Sequence, residues 1–317
     1  IINCEGRYIM YSVNNFTQIY GNNIAIDDIS FNIEAGNIMG LIGTNGAGKT
    51  TIIKASCGLL KPTKGDISIF GRNIKTHRKE YIRNLGAVLE GNRNIYMRLT
   101  PEENIEYFAR MRNIGKSEYL SRMNILLELF ELEHKRKTEC ISLSRGMQQK
   151  VAICCSIIHN PKIIFLDEPT LGLDFESVKI IEKIIKDLGS EDRIIVITSH
   201  DLDFISRLVN HVVVIDKGRK VLDSPINELE SLKAKDFFEV IIPIGYSLFE
   251  DDRIIEIISE MDTIKIRFKI QSPYEAKSII NRFQNNSIPI LDMYKSKYEL
   301  KDLYMDLVKK DKGVVKQ

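Results

Sequence analysis

Gly43-Thr44-Asn45-Gly46-Ala47-Gly48-Lys49-Thr50 fits the pattern G-x-x-x-x-G-K-[ST]. Gly43, Gly46 and Gly48 let the backbone turn its N–H groups inward around an anion. A helix opening at the end of the segment adds positive potential from its N-terminus. Lys49 has the reach to meet β- and γ-phosphate oxygens, Thr50 offers a hydroxyl to magnesium, and Thr51 is a further phosphate contact, so the segment predicts a cradle for a nucleoside triphosphate. A second constellation, Ile163-Ile164-Phe165-Leu166-Asp167-Glu168, is an apolar run that ends in two carboxylates. At the C-terminal end of a strand beside the loop, Asp167 is suited to hold magnesium, commonly through water. Glu168 would then face the γ-phosphate and polarise the attacking water. An Asp-Glu pair alone is an ordinary turn; with the loop it is the second half of one metal–nucleotide site.

These residues need a rigid frame. Short β-branched runs at Ile38–Ile42, Ile163–Leu166, Ile194–Thr198 and Val212–Ile215 alternate with helical patterns over roughly the first 230 residues, which predicts crossover units and a largely parallel sheet. From Thr100 to Ile158 the pattern is almost wholly helical, opening on Thr100-Pro101-Glu102-Glu103: an N-cap, a proline at the first helical position and a capping-box glutamate. Beyond Leu232 the character changes. Thr263 to Ile270 alternates, with Ile264, Ile266, Phe268 and Ile270 on one face and Lys265, Arg267 and Lys269 on the other, read as the wet face of a small sheet. Ser272-Pro273-Tyr274-Glu275 starts another helix, Ile288 to Met293 reads as a strand, and Tyr298 to Lys310 as a last amphipathic helix.

Composition narrows the class. The chain has 317 residues, 44% hydrophobic and 28% charged, which argues for two packed domains rather than a disordered polypeptide. Lysine and arginine number 45 against 43 acidic residues, so no general attraction to nucleic acid is expected, and the cluster His134-Lys135-Arg136-Lys137 reads as a solvated turn. The five cysteines, Cys4, Cys57, Cys140, Cys154 and Cys155, lack metal-ligand spacing and are expected to be reduced and mostly buried. No apolar run approaches the roughly 18–20 residues that cross a bilayer.

The loop and the acidic strand are joined by Leu143-Ser144-Arg145-Gly146-Met147-Gln148, which resembles the LSGGQ signature of ATP-binding cassette proteins. Pro169-Thr170-Leu171-Gly172-Leu173-Asp174 is similar to that family's D-loop, Thr198-Ser199-His200 to its switch-histidine region, and Tyr20 lies where the family stacks an aromatic ring on adenine. The order agrees from about residue 11 to residue 225. The resemblance implies an α/β fold of the P-loop NTPase type: a RecA-like sheet core, an N-terminal antiparallel β subdomain and a helical signature subdomain over about 91–158. A small C-terminal α+β domain over 233–317 follows the cassette of 11–232, and residues 1–10 are expected to be a leader or disordered.

It also implies a mechanism that needs two copies. ATP with Mg2+ would lie between the phosphate loop of one cassette and Ser144, Arg145, Gly146 and Gln148 of the other, in a homodimer, with Asp174 in the D-loop. Glu168 and His200 would be catalytic, and Thr50, Asp167 and Glu90 would attend the metal. The signature departs from LSGGQ: Arg145 replaces a glycine and the glutamine comes one place late. Glu90 stands where the family's Q-loop has glutamine. It can still ligate magnesium but adds charge beside Asp167 and Glu168. Catalysis is expected to survive. The signature variant, the separate chain, the short appendage and the ending Tyr298-Glu299-Leu300-Lys301-Asp302-Leu303-Tyr304 resemble the multidrug, antibiotic and lipid exporter branch. That predicts an energising ATPase subunit at the cytoplasmic face of the cell membrane, with a permease as a separate chain docking near Tyr96–Asn104. The alternatives are a soluble cassette that regulates translation, disfavoured by the single cassette, and a chromosome or repair ATPase, disfavoured by the absence of a long heptad insertion.

Overall fold

Runs of four to six β-branched and aliphatic residues, too short for stable helices, become strands buried on both faces. In the computed structural model, which describes residues 9–91, 94–189, 192–231, 236–260, 262–270, 272–296 and 300–304, they supply all but the outermost, more exposed β10 of a six-stranded sheet. Its members are β3 (Ile38–Gly43), β6 (Leu85–Val88), β7 (Ile163–Asp167), β8 (Ile194–Thr198), β9 (His211–Asp216) and β10 (Arg219–Pro225). The order is β10-β9-β3-β8-β7-β6, parallel throughout except for the β9–β10 hairpin. A second, antiparallel sheet of order β2-β1-β4-β5 comprises β1 (Ile9–Tyr20), β2 (Asn23–Glu34), β4 (Lys64–Ile69) and β5 (Arg72–Asn73). Tyr11, Phe16, Ile29 and Ile67 of this sheet share one buried cluster with Leu41, Phe165 and Val213 of the parallel sheet. The first unit, Ile1–Ile226, is thus two sheets closed on one core.

β1 starts at Ile9, and Met10 is buried, so the strand takes in the end of the stretch read as a leader; residues 1–8 lie outside the described residues. Helix α1 (Lys49–Ser56) follows β3, α2 (Arg78–Arg83) precedes β6, and α6 (Phe175–Leu188) and α7 (Leu202–Leu208) follow β7 and β8. Between β6 and β7 stands the helical block: α3 (Pro101–Met111), α4 (Lys116–Leu129) and α5 (Arg145–Ile157). The expected capping box closes α3: Thr100 Oγ1 accepts from Glu103 N at 3.2 Å, and Glu103 Oε2 accepts from Thr100 N at 2.8 Å. His134 and Lys135 fall in a short 3-10 turn, and the four described cysteines are buried and free. No helix among the described residues is long and apolar enough to cross a membrane.

The chain passes through α8 (Ile226–Ser231) into a second unit, Asn227–Gln317, a few residues ahead of the expected boundary at 232. Its antiparallel sheet, β12 (Ile254–Ser259), β13 (Thr263–Ile270), β11 (Asp236–Pro243) and β14 (Asp292–Ser296) in that order, packs on α9 (Pro273–Asn285) through Ile266, Phe268, Ile279 and Phe283. Ser272 is the N-cap of α9 but makes no side-chain cap bond. The strand expected from Ile288 begins only at Asp292. Pro289 has no N–H for a ladder, so Ile288 and Ile290 instead seal the helix-facing core. Of the expected last helix, residues 300–304 are helical, and the rest lies outside the described residues.

The basic stripe of β13 corrects the expectation of a wet face. Arg267 is only 7% exposed. Its Nη2 donates to Asp302 Oδ2 at 2.9 Å, its Nε lies 3.2 Å from Glu239 Oε1, and its guanidinium stands 4.4 Å from the centre of the Phe237 ring. Lys265 pairs with the same Glu239. A guanidinium that loses its water needs such partners, and the helical turn at 300–304 supplies one of them. Asp302→Ala, which strands part of that charge, is expected to destabilise the second unit by about 2 kcal/mol. A chemical-denaturation midpoint for this variant equal to that of the native chain would show that the pair contributes nothing.

Candidate nucleotide site

The phosphate loop leaves β3 at Gly43 and enters α1 at Lys49. Two of its glycines are there for space. A Cβ on Gly43 would stand 2.4 Å from Ile215 O, and one on Gly48, whose φ is +109°, would stand 2.2 Å from Ile26 Cδ1. Gly46, at φ +79° with open space around it, is there for conformation alone. Asn45 is exposed, and Thr50 and Thr51 lie part-buried in the first turn of α1, which carries no acidic residue to offset its dipole. Lys49 is buried and donates from Nζ to Gly43 O at 2.8 Å and Thr44 O at 3.2 Å. Burial pushes its pKa down, and the charges of Glu168, Asp167 and Glu90 push back.

The carboxylates come from the C-terminal end of β7, two strands from β3 in the sheet. Asp167 is paired in register with Thr198 on β8, whose Oγ1 donates to Asp167 Oδ1 at 2.6 Å and accepts from Glu168 N at 3.0 Å. One hydroxyl therefore orients both acidic residues. Asp167 is 2% exposed and its other oxygen, Oδ2, is buried without a hydrogen-bond partner. A carboxylate oxygen in that state wants a cation, so Asp167 itself suits a hard divalent ion. Glu168 takes the left-handed conformation, φ +51°. Its Oε1 lies 3.1 Å from His200 Nε2 and its Oε2 accepts from His200 N at 3.3 Å. Burial raises the Glu168 pKa, against His200 and Lys49, which lower it. Glu90, Asp167 and Glu168 line one groove of about 1500 Å³, with Tyr96 and Met97 further along it. Tyr20 ends β1 opposite Asn23, 48% exposed, on the sheet whose Ile26 packs against Gly48.

The signature divides between two clefts: Arg145 lines the groove of Glu90, Asp167 and Glu168, and Ser144 borders another. Ser144 caps α5 by accepting from Met147 N at 3.2 Å, and a Cβ on Gly146 would stand 2.3 Å from Ser177 Oγ. Asp174 caps α6, accepting from Ser177 N at 2.9 Å and from Ser177 Oγ at 3.0 Å; these bonds hold its pKa low. Ser144, Lys150, Asp174 and Ser177 border a cavity of about 580 Å³. Arg145 is exposed and approaches Gly172. Among the described residues, no hydrogen bond or ion pair joins Ser144 or Gly146 to the phosphate loop. Gln148 corrects its expected part in the signature. It is 5% exposed, and its Nε2 donates to Cys140 O at 2.8 Å and Leu143 O at 3.1 Å, bracing the approach to the helix. One residue of delay on a helix is about 100° of rotation, which swings the amide from the outer face to the core. Thr198, which the sequence marks only as part of the switch region, holds both acidic residues; its place at the end of a buried strand was the available signal.

Residues 26–171 match the ABC transporter family. Among curated relatives, the bacitracin transport ATP-binding protein BcrA of Bacillus licheniformis is 31% identical over 301 residues, covering 92% of this chain and 95% of its own. The ABC transporter ATP-binding protein NatA of Bacillus subtilis is 34% identical over 213 residues, 67% of this chain and 87% of its own. A solved ATP-binding subunit of an ABC transporter superposes with a TM-score of 0.65 at 29% identity, covering 70% of this chain and 92% of that one. The cbiO1 subunit from Clostridium perfringens, part of the transporter complex cbiONQ, gives 0.64 at 27% identity over 70% of this chain and 91% of its own.

Because one hydroxyl orients both carboxylates, Thr198→Val is expected to lower turnover of nucleotide roughly tenfold while sparing its binding, a loss equivalent to about 1.4 kcal/mol of the barrier. Steady-state hydrolysis at native rate in that variant would take Thr198 out of the site. The matches and the geometry lead to one assignment: this chain belongs to the ATP-binding subunits of ABC transporters, and it binds and hydrolyses ATP to drive transport.

Proposed function

We propose that two copies of this chain close head to tail over two ATP molecules and energise export of an antibiotic-like or lipid-like compound through a separate membrane-spanning permease. The observation that carries the dimer is the division of the site within one copy. Lys49, Asp167 and Glu168 converge around the loop, while Ser144 and Gly146 present a helix N-terminus with no bond to it. A γ-phosphate held by Lys49 would meet that second N-terminus only from another copy. Tyr20 supplies a half-exposed ring for adenine.

Thr50, Glu90 and Asp167 would hold Mg2+, whose charge would offset that developing on the phosphates. Glu168 orients and polarises water, and His200 fixes the Glu168 carboxylate through its backbone N–H and faces it with its ring. Arg145 of the signature and the D-loop, ending at Asp174, would contact the other copy. The export reading rests on likeness to BcrA along almost the whole chain, the second unit included. Those relatives being transport subunits, this reading is favoured over a soluble regulator of translation. A permease contact would use the groove about Tyr96 and Met97 and would keep the subunit at the inner face of the membrane.

Glu168→Gln removes the charge that polarises water and leaves the cradle intact. Its expected outcome is loss of hydrolysis, retained ATP binding and a dimer in ATP-Mg by light scattering; a monomer at saturating ATP-Mg would overturn the sandwich. Lys49→Ala is expected to weaken nucleotide binding by at least tenfold, since a charge-assisted phosphate contact is lost. Unchanged ATP affinity would remove the loop from the site.

A further inference from the structure

The hairpin that joins β9 to β10 belongs to none of the motifs above, yet it touches the phosphate loop from behind. β9 ends at Asp216, which pairs with Arg219 across the turn residues Lys217 and Gly218. Both are left-handed, at φ +45° and +78°, as a type I′ hairpin turn requires. For lysine that conformation is unfavourable, so the turn is held from outside. Gly218 N donates to Ala47 O at 3.1 Å, and Gly218 O accepts from Asp27 N at 2.8 Å. A Cβ on Gly218 would come within 2.6 Å of Ala25 O. Arg219 Nη2 adds an ion pair to Asp27 at 2.7 Å. The turn is thus wedged between the phosphate loop and β2, partner of the strand that carries Tyr20.

The carboxylate of this turn faces the loop. Asp216 is buried, and Thr44 Oγ1 donates to its Oδ1 at 3.4 Å. Among the described residues the one cation within ion-pair range of it is Lys217, at 4.0 Å and well exposed. The carbonyl of Thr44 accepts from Lys49 Nζ at 3.2 Å. The other carbonyl that holds this ammonium belongs to Gly43, whose Cα is pressed against Ile215 O, one residue before Asp216. The end of β9 therefore fixes both carbonyls on which Lys49 rests.

On the reading that Lys49 binds the phosphates, we propose that Asp216 is a positioning residue. Acting through Thr44, it orders the first turn of the phosphate loop and the ammonium of Lys49, and so sets the affinity for ATP. A cradle ordered before its ligand arrives binds more tightly than one ordered on binding. The bond is long and part-exposed, so the effect is that of one modest hydrogen bond.

The test is a double-mutant cycle on the whole chain, read by titration with a fluorescent ATP analogue and by thermal melting. Thr44→Val and Asp216→Ala should each weaken binding about fivefold, and the double variant no further, because both remove one bond. Asp216→Asn, which keeps an acceptor oxygen, should bind nearly as the native chain does. Thr44→Val should melt at the native temperature, which a merely stabilising role for the pair would not allow alongside weaker binding. Native affinity in Thr44→Val, or losses that multiply in the double variant, would overturn the proposal. Should Asp216→Ala fail to fold, Thr44→Val and Asp216→Asn still decide it. Lys49→Ala serves as the control: unchanged affinity there would sink the phosphate-loop reading itself, whereas weakened binding there with native Thr44→Val would sink only the role of Asp216.

Discussion

A buried ammonium among carboxylates governs this molecule. Lys49 loses water on entering the loop, and the charges of Glu168, Asp167 and Glu90 offset part of the loss. Asp167 and Glu168, both buried, are costly to hold there without the ammonium. Lys49 and Glu168 each favour the charged form of the other, and it is the parallel sheet that brings the ends of β3, β7 and β8 together. A triphosphate with its metal would enter a field already arranged for it: donors from the loop, an orphaned carboxylate oxygen from Asp167, and a glutamate held against His200.

The signature depends on a different constraint, the close approach of α5 and α6. Gly146 has no side chain because Ser177 occupies the place where one would lie, and Ser177 is itself bonded to Asp174, the cap of the next helix. Two helix N-termini, capped by Ser144 and Asp174, are thereby fixed side by side around one cavity. The replacement of a glycine by Arg145 is accommodated because that position points outward toward Gly172. Met147 then stands where the family has glutamine, and Gln148 does structural work inside.

The second unit shows how a surface pattern can mislead. Alternation on β13 divides its residues between two faces, and it does so correctly: Ile266 and Phe268 meet α9, and Arg267 lies opposite. What alternation carries no information about is whether the polar face is left open. Arg267 is enclosed by Glu239, Phe237 and Asp302, the last of them 35 residues further along the chain.

Local chemistry was legible in the sequence because it is local. The glycines and Lys49 of the loop, the apolar strand ending in Asp167-Glu168, the capping box at Thr100 and the four buried strands each follow from neighbours in the chain, where sterics and hydrogen-bond reach act over a few residues. Family resemblance extended that reading to fold and activity. The tertiary structure alone decided which way side chains turned once elements packed: Gln148 inward, Arg267 under cover, Ile288 into a core instead of a ladder, and Thr198 across to Asp167. It also set Asp216 behind Thr44, 172 residues apart in sequence. Such pairings depend on strand order and register, which no residue's own neighbours specify, and only the closed sheet fixes them.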